Sequence, residues 1–216
     1  YGIVHCSFND YTYILFFLVS IALCASQIIK FGFCVDVPTV KFFELERFLG
    51  TWYELERFPV WYEGIGKCAY KNINVCGRNV KIEHVFVKNN IQYVIPINTT
   101  YAPGDEAVFE IKPSNIDKIG IPLHVINTDY TNYAIVYGCK GHSEINIKYI
   151  SAWLLSRNTT LPQETLEKAY SELNALPSVS TAYLQAVDHS EDSCEHNWTA
   201  HVNTVNVDEE NEEDEE

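Results

Sequence analysis

Three stretches in the middle of the chain alternate apolar and polar side chains with a period of two. Over 79–87, Val80, Ile82, His84 and Phe86 share one face, and Lys81 and Glu83 take the other. Next, Ile91, Tyr93, Ile95 and Ile97 oppose Gln92, and then Ala107, Phe109 and Ile111 oppose Glu110 and Lys112. Successive side chains of a strand point to opposite sides, so each stretch predicts a half-buried strand. Turn residues separate them: Cys76-Gly77-Arg78-Asn79, Lys88-Asn89-Asn90, Ala102-Pro103-Gly104-Asp105 and Gly120. Turns recurring at roughly 10–15 residues predict an antiparallel meander. The stretch 132–139 differs, with Tyr133, Ile135 and Tyr137 on one face and Ala134 and Val136 on the other. A strand apolar on both faces needs something packed outside the sheet.

One helix can supply that cover. Leu161-Pro162 opens it, with proline in the first turn, where a missing N–H costs nothing. Leu166, Ala169, Tyr170 and Leu173 recur at helical spacing, and Pro177 stops it. The expected span is from about Pro162 to Ala175. Many strands followed by one late helix predict an all-β fold, a barrel with an attached helix.

Charge and composition narrow the partners. The chain of 216 residues carries a formal net charge of -14, which argues against nucleic acid. Eight of the nine residues 208–216 (DEENEEDEE) are acidic, and without them the remainder carries -6. The segment 195–216 is polar and is expected to be a disordered acidic tail. The chain contains no methionine, so Tyr1 is read as lying after a missing start. Residues 14–25 (ILFFLVSIALCA) are apolar or small and uncharged. A bilayer span needs about 20 such residues and a secretory signal about 7–15. The reading is a signal peptide over 1–26, cleaved after Ser26, with a folded domain over 27–194. No later stretch is long enough to span a membrane.

Seven cysteines stand at 6, 24, 34, 68, 76, 139 and 194. The first two leave with the signal. Of the other five, four would pair in an oxidising compartment, and spacing alone allows several pairings. No C-x-x-C is present, so neither a zinc knuckle nor a thioredoxin-type site is expected, and no residue is assigned to a metal. Asn98, Asn158 and Asn197 each open a glycan-acceptor triplet.

Three blocks carry a resemblance. Phe48-Leu49-Gly50-Thr51-Trp52-Tyr53-Glu54 holds a G-x-W; Thr128-Asp129-Tyr130 closes a strand; Trp153-Leu154-Leu155-Ser156-Arg157 precedes the helix. In this order and at these distances they resemble the signature regions of the lipocalins, over 27–194. The strings GTWYELERFP, TDYTNYAIVYGC and AWLLSRNTTLPQETL are similar to the branch holding apolipoprotein D, Lazarillo and the insect bilin-binding proteins. The resemblance implies an eight-stranded antiparallel up-and-down barrel between about Gly50 and Trp153. It implies that Trp52 plugs the closed end, that Arg157 stacks on it, and that Asp129 holds the adjacent loop. It also implies disulfides Cys34–Cys139 and Cys68–Cys194, leaving Cys76 in a turn.

Such a barrel has room for one small ligand. The inward faces named above then form the pocket: His84, Phe86, Tyr93, Ile95, Phe109 and Ile111, with Leu123, Val125 and Tyr137 added. This wall suits a hydrophobic molecule with one or two polar groups, such as a sterol, fatty acid, other lipid or bilin, and requires no cofactor. His84 admits three readings: a hydrogen bond to a ligand carboxylate or pyrrole, a haem-iron ligand, or a structural histidine. His124 falls on the opposite strand face and is expected at the surface. The segment 58–66, aromatic and glycine-flanked, reads as a lid, a membrane-touching patch or a dimer patch. The expected function is that of a secreted, non-enzymatic carrier, monomeric or weakly homo-oligomeric. The alternatives are a haem or amine scavenger and, using Cys76, a lipocalin-type isomerase.

Overall fold

In the computed structural model, residues 28–60, 66–76, 79–101, 107–142 and 144–206 are described. Eight strands follow one another in the meander the alternation predicts. They are β2 (Gly50–Arg57), β3 (Lys67–Cys76), β4 (Asn79–Lys88) and β5 (Ile91–Thr100), then β6 (Val108–Ile111), β7 (Leu123–Thr128), β8 (Tyr133–His142) and β9 (Ile147–Ser156). Each pairs antiparallel with the next, and β9 returns to β2 from Tyr53↔Ser156 to Arg57↔Trp153. That last pairing curls the sheet into the expected barrel. A strand before it, β1 (Ile28–Phe31), pairs antiparallel with the Ile147–Ile150 part of β9 that β2 leaves open, and a short helix α1 (Leu45–Phe48) leads into β2.

The closing helix α2 (Gln163–Asn174) follows Pro162 as its N-cap. Its Ala169 and Leu173 are fully buried against an outer layer that includes Phe58, Ile135 and Leu154. The hydroxyl of Tyr170 donates to Glu56 on β2 at 2.7 Å. This is the cover that the two-faced strand requires. Tyr133, Ile135 and Tyr137 lie in this outer layer, whereas Ala134 and Val136 belong to the inner one.

The barrel wall has a thin seam on each side of β6, which pairs with β7 only at Val108↔His124 and Phe109↔Leu123 among the described residues. β5 and β6 pair directly only at Thr99↔Ile111 and Thr100↔Glu110. Beyond α2 the chain makes a two-residue strand β10 (Gln185–Ala186) on β2 and a short helix α3 (Glu191–Cys194). It then forms β11 (Trp198–His201), parallel to β5 from Trp198↔Ile91 to His201↔Val94. The following residues continue along the β5–β6 seam: Thr204 Oγ1 donates to Pro96 O, and Asn115 N donates to Val205 O. The expectation of disorder beyond Cys194 is therefore corrected for 195–206, where a two-sided set of backbone hydrogen bonds overrides polar composition. The acidic run 208–216 and the expected signal lie outside the described residues.

Both expected disulfides are present, Cys34–Cys139 and Cys68–Cys194, and Cys76 is free and exposed. The pairs span 105 and 126 residues of sequence. Cross-links over such loops stabilise by roughly 4–5 kcal/mol in the chain-entropy view. Cys34–Cys139 fixes the N-terminal arm to β8, and Cys68–Cys194 holds α3, and so the start of β11, against β3.

Candidate functional site

The narrow end is built by the three signature blocks. Trp52 is fully buried, and its indole N–H donates to the Phe48 carbonyl at 2.8 Å. The Phe48 ring lies 5.0 Å from it and 6.1 Å from that of Phe109. Arg157 covers the outer side, its guanidinium 3.7 Å from the Trp52 ring centre. It also donates to the carbonyls of Tyr130, Thr51 and Arg47 at 3.2, 2.9 and 2.9 Å. Gly50 has a φ of +94°, and a Cβ there would meet Arg157 Nη1 at 3.4 Å, so the backbone form favours glycine. One Asp129 oxygen accepts the N–H groups of Thr131, Asn132 and Tyr133. Partial burial would raise its pKa, but these bonds and the Asn132 side-chain bond outweigh burial and lower it. Thr128 Oγ1 donates to Tyr133 O and accepts from Tyr130 N.

The inside of the barrel differs from the apolar wall expected. Glu54, two residues after Trp52, points inward and is fully buried. Lys71 on β3 approaches its Oε1 at 2.7 Å, and His84 Nδ1 lies 3.3 Å from the same oxygen. Arg57 Nη1 donates to Oε2 at 2.9 Å, and its Nη2 donates to the Gly66 carbonyl at 3.0 Å. Lys71 Nζ is also 3.2 Å from His84 Nδ1 and 5.1 Å from the centre of the Trp153 ring. All four charged or titratable side chains are at most 4% exposed. Burial alone would raise the pKa of Glu54. The positive charges of Lys71, His84 and Arg57, with the His84 hydrogen bond, outweigh it and hold the carboxyl well below the ordinary carboxylate range.

Arg57 reaches this cluster because the pairing register shifts between Glu54 and Glu56. Simple alternation would place Arg57 outside; the irregularity turns it in. Lys71 shares its face with Ile73, a core residue, so its inward direction was readable once that register was known. The sequence reading missed Glu54, Arg57 and Lys71 because a charged residue in a strand is ordinarily assigned to the wet face.

Beside the cluster lies an internal cavity of about 30 Å³. Lys71, Ser151 and Trp153 supply polar atoms to its wall, and Val60, Ile97 and Leu123 supply apolar ones. The Trp153 indole N–H is buried with no hydrogen-bond partner among the described residues. Of the expected pocket residues, Ile111 and Leu123 line this cavity. His84 is inside the barrel but engaged by Lys71 and Glu54. Phe86, Tyr93 and Ile95 form a separate group with Ala69, in which the Phe86 and Tyr93 rings stack at 5.4 Å. Phe109 and Val125 pack in the inner core, Phe109 against the closed-end aromatics. Tyr137 is the one residue placed on the wrong side. It faces outward beneath the N-terminal arm, because in a strand apolar on both faces composition does not reveal which face is inner. His124, its partner across β7 and β8, is half-buried on that same outer side.

Gly66 abuts the Phe86 ring, and a Cβ there would come within 2.6 Å of it. Residues 61–65 of the segment read as a lid lie outside the described residues. Asn158 and Asn197 are exposed.

Comparison with known proteins places this architecture. Residues 49–186 match the model of the lipocalin / cytosolic fatty-acid binding protein family. Insecticyanin-B of Manduca sexta is 29% identical over 195 residues, 87% of this chain and 94% of that protein. The bilin-binding protein of Pieris brassicae is 28% identical, over 85% of this chain and 98% of that protein. Apolipoprotein D of Bos taurus is 34% identical, over 65% and 74%. Among solved structures, insecticyanin from the tobacco hornworm superposes with a TM-score of 0.71 at 26% identity, covering 83% of this chain and 97% of that one. Apocrustacyanin C1 shares the fold, with a TM-score of 0.64 at 20% identity over 76% and 92%. The chain belongs to the lipocalin family.

Proposed function

We propose that this protein is a secreted carrier that holds one small hydrophobic ligand, a lipid or a bilin, inside its barrel. The observation that carries the reading is a closed barrel whose inner wall, outside the buried cluster of Glu54, Arg57, Lys71 and His84, is aromatic and aliphatic, with Phe86 and Tyr93 stacked near Gly66. The bilin-binding protein is named for such a ligand. A cavity of about 30 Å³ holds a water or two rather than a lipid. The ligand therefore takes the space of the Phe86–Tyr93 stack, which swings aside as it enters. Burying apolar ligand surface there stabilises by about 25 cal/mol per Å².

Two observations favour the carrier over the other readings. Cys76, the thiol an isomerase would need, is exposed at the end of β3. His84 is enclosed by Glu54 and Lys71, so an iron would compete with an ion-paired network for its ring. Secretion is supported by the two disulfides and the exposed acceptor sites Asn158 and Asn197, and among the described residues no helix is long and apolar enough to cross a membrane. The test is a fluorescence titration of the purified protein with biliverdin, a long-chain fatty acid and a sterol, with an absorption spectrum of the protein as isolated. Binding of at least one class, abolished in a folded Phe86→Asp variant, is expected. Binding of none removes the carrier reading, and a Soret band in the isolated protein replaces it with haem capture.

A further inference from the structure

We propose that Lys71, with the indole N–H of Trp153, forms a headgroup site inside the barrel that selects ligands ending in a carboxylate over neutral or cationic ones. The proposal deepens the carrier reading and rests on it. It starts from the placement of donors. Lys71 is an ammonium on β3 with its charge buried, and it lines the internal cavity together with Trp153 on β9. Both side chains can only donate. The Trp153 N–H has no acceptor among the described residues. Lys71 has three N–H groups, and its Nζ lies 2.7 Å from one carboxylate oxygen, Glu54 Oε1, and 3.2 Å from His84 Nδ1.

The acceptor side is already committed. The Glu54 carboxylate serves Lys71 and His84 with one oxygen and Arg57 with the other. Asp117, also on the cavity wall, is half-buried, and its Oδ1 accepts the N–H groups of Ile119 and Gly120, which fixes it to that turn. The wall thus sets two buried donors beside the Ser151 hydroxyl and the turn-bound carboxylate of Asp117. A space of about 30 Å³ takes a small polar group of the size of a water or two, not a lipid body. An amphiphile entering past Phe86 and Tyr93 would lay its chain where those rings stand and bring its acid to Lys71 and Trp153. Charge-assisted hydrogen bonds in a water-poor site are the strong kind. A neutral ester offers a weaker acceptor, and an amine places a second cation beside Lys71.

The test compares heads on one lipophilic body: cis-parinaric acid, its methyl ester and the amine of the same chain, titrated at about pH 7.5, where the acid is ionised. The intact disulfide-bonded chain should bind the acid about tenfold or more tighter than the ester, and the ester tighter than the amine. In Lys71→Gln the advantage of the acid over the ester should fall to about threefold or less. Trp153→Phe, which keeps the ring bulk and removes the N–H, should narrow it by a smaller factor. If Lys71→Gln does not fold, the wild-type comparison and Trp153→Phe decide. Equal binding of acid and ester by the wild type, or an unchanged preference in both variants, overturns the headgroup site and leaves the carrier intact. Binding of none of the three probes, together with none of the ligands of the preceding test, overturns the carrier reading itself.

Discussion

The two halves of the barrel use cations in opposite ways. At the narrow end Arg157 sits on the rim, half in water, with its face on Trp52 and its N–H groups on three backbone carbonyls. The indole stays apolar on its inner side, so aromatic packing and the cation reinforce each other. In the wide half Lys71 and Arg57 stand inside the wall, compensated by Glu54. Taking such charges out of water costs several kcal/mol per ion, and mutual attraction recovers this only when every donor and acceptor is matched. The first arrangement packs a cation on an aromatic ring and satisfies its donors on backbone carbonyls. The second is a poor way to gain stability and a good way to hold an electric field inside an apolar container.

The comparison breaks first under the largest changes. Glu54→Ala leaves two buried cations without their carboxylate and should cost about 3–5 kcal/mol, read as the shift in a urea unfolding midpoint. Trp52→Ala should cost a similar amount, about 3–5 kcal/mol, through lost packing rather than charge. The distinguishing variant replaces the interior group as a whole, Glu54→Leu with Arg57→Met and Lys71→Met. It should recover the stability lost in Glu54→Ala and match or exceed wild type. If the triple replacement is as unstable as Glu54→Ala, the interior charges are structural and the contrast fails. Arg157→Ala is the smaller test at the narrow end, with an expected loss of about 1–2 kcal/mol from the stacked guanidinium and its hydrogen bonds.

The smallest effect is the pH dependence. The Glu54 carboxyl is held below its ordinary value of 4.5 in the folded chain. Its contribution is therefore complete above that value and is lost as pH falls through the lower, folded one. Wild-type stability should decline in acid below about pH 4.5, and Glu54→Gln should be less stable at neutral pH with a flatter acid limb. Asp129 is lowered as well but sits near solvent, so Asp129→Asn should flatten the limb less. An equal flattening in the two variants would mean that depth of burial does not separate the two ends.

Much of the frame was legible because period-two stretches and one helical stripe have little else to become. The run from Val80 to Phe86 became the inner face of β4, and Leu166 to Leu173 became the buried stripe of α2. The plug and the disulfides were legible through the resemblance, not through periodicity. The interior cluster was not, since Glu54, Arg57 and Lys71 each look like the wet side of a strand until register is known. Tyr137 was lost to the opposite ambiguity, a strand with no wet side. The order beyond Cys194 was hidden because Trp198, Ala200 and Val202 alternate only weakly, and their partner strand lies about 100 residues earlier in the chain.

That late strand has a consequence for how the molecule meets copies of itself. From Ile91 to Val94 the outer edge of β5 is not paired with β6 and is taken up instead by β11. A strand edge with open N–H and C=O groups is a template on which another chain can build. Here the chain completes the template with its own far end. The Cys68–Cys194 link holds that end beside its slot, which raises its local concentration toward the millimolar range typical of short tethers. A foreign strand must outcompete a partner that cannot diffuse away, so the seam is guarded by tethering as much as by hydrogen bonding.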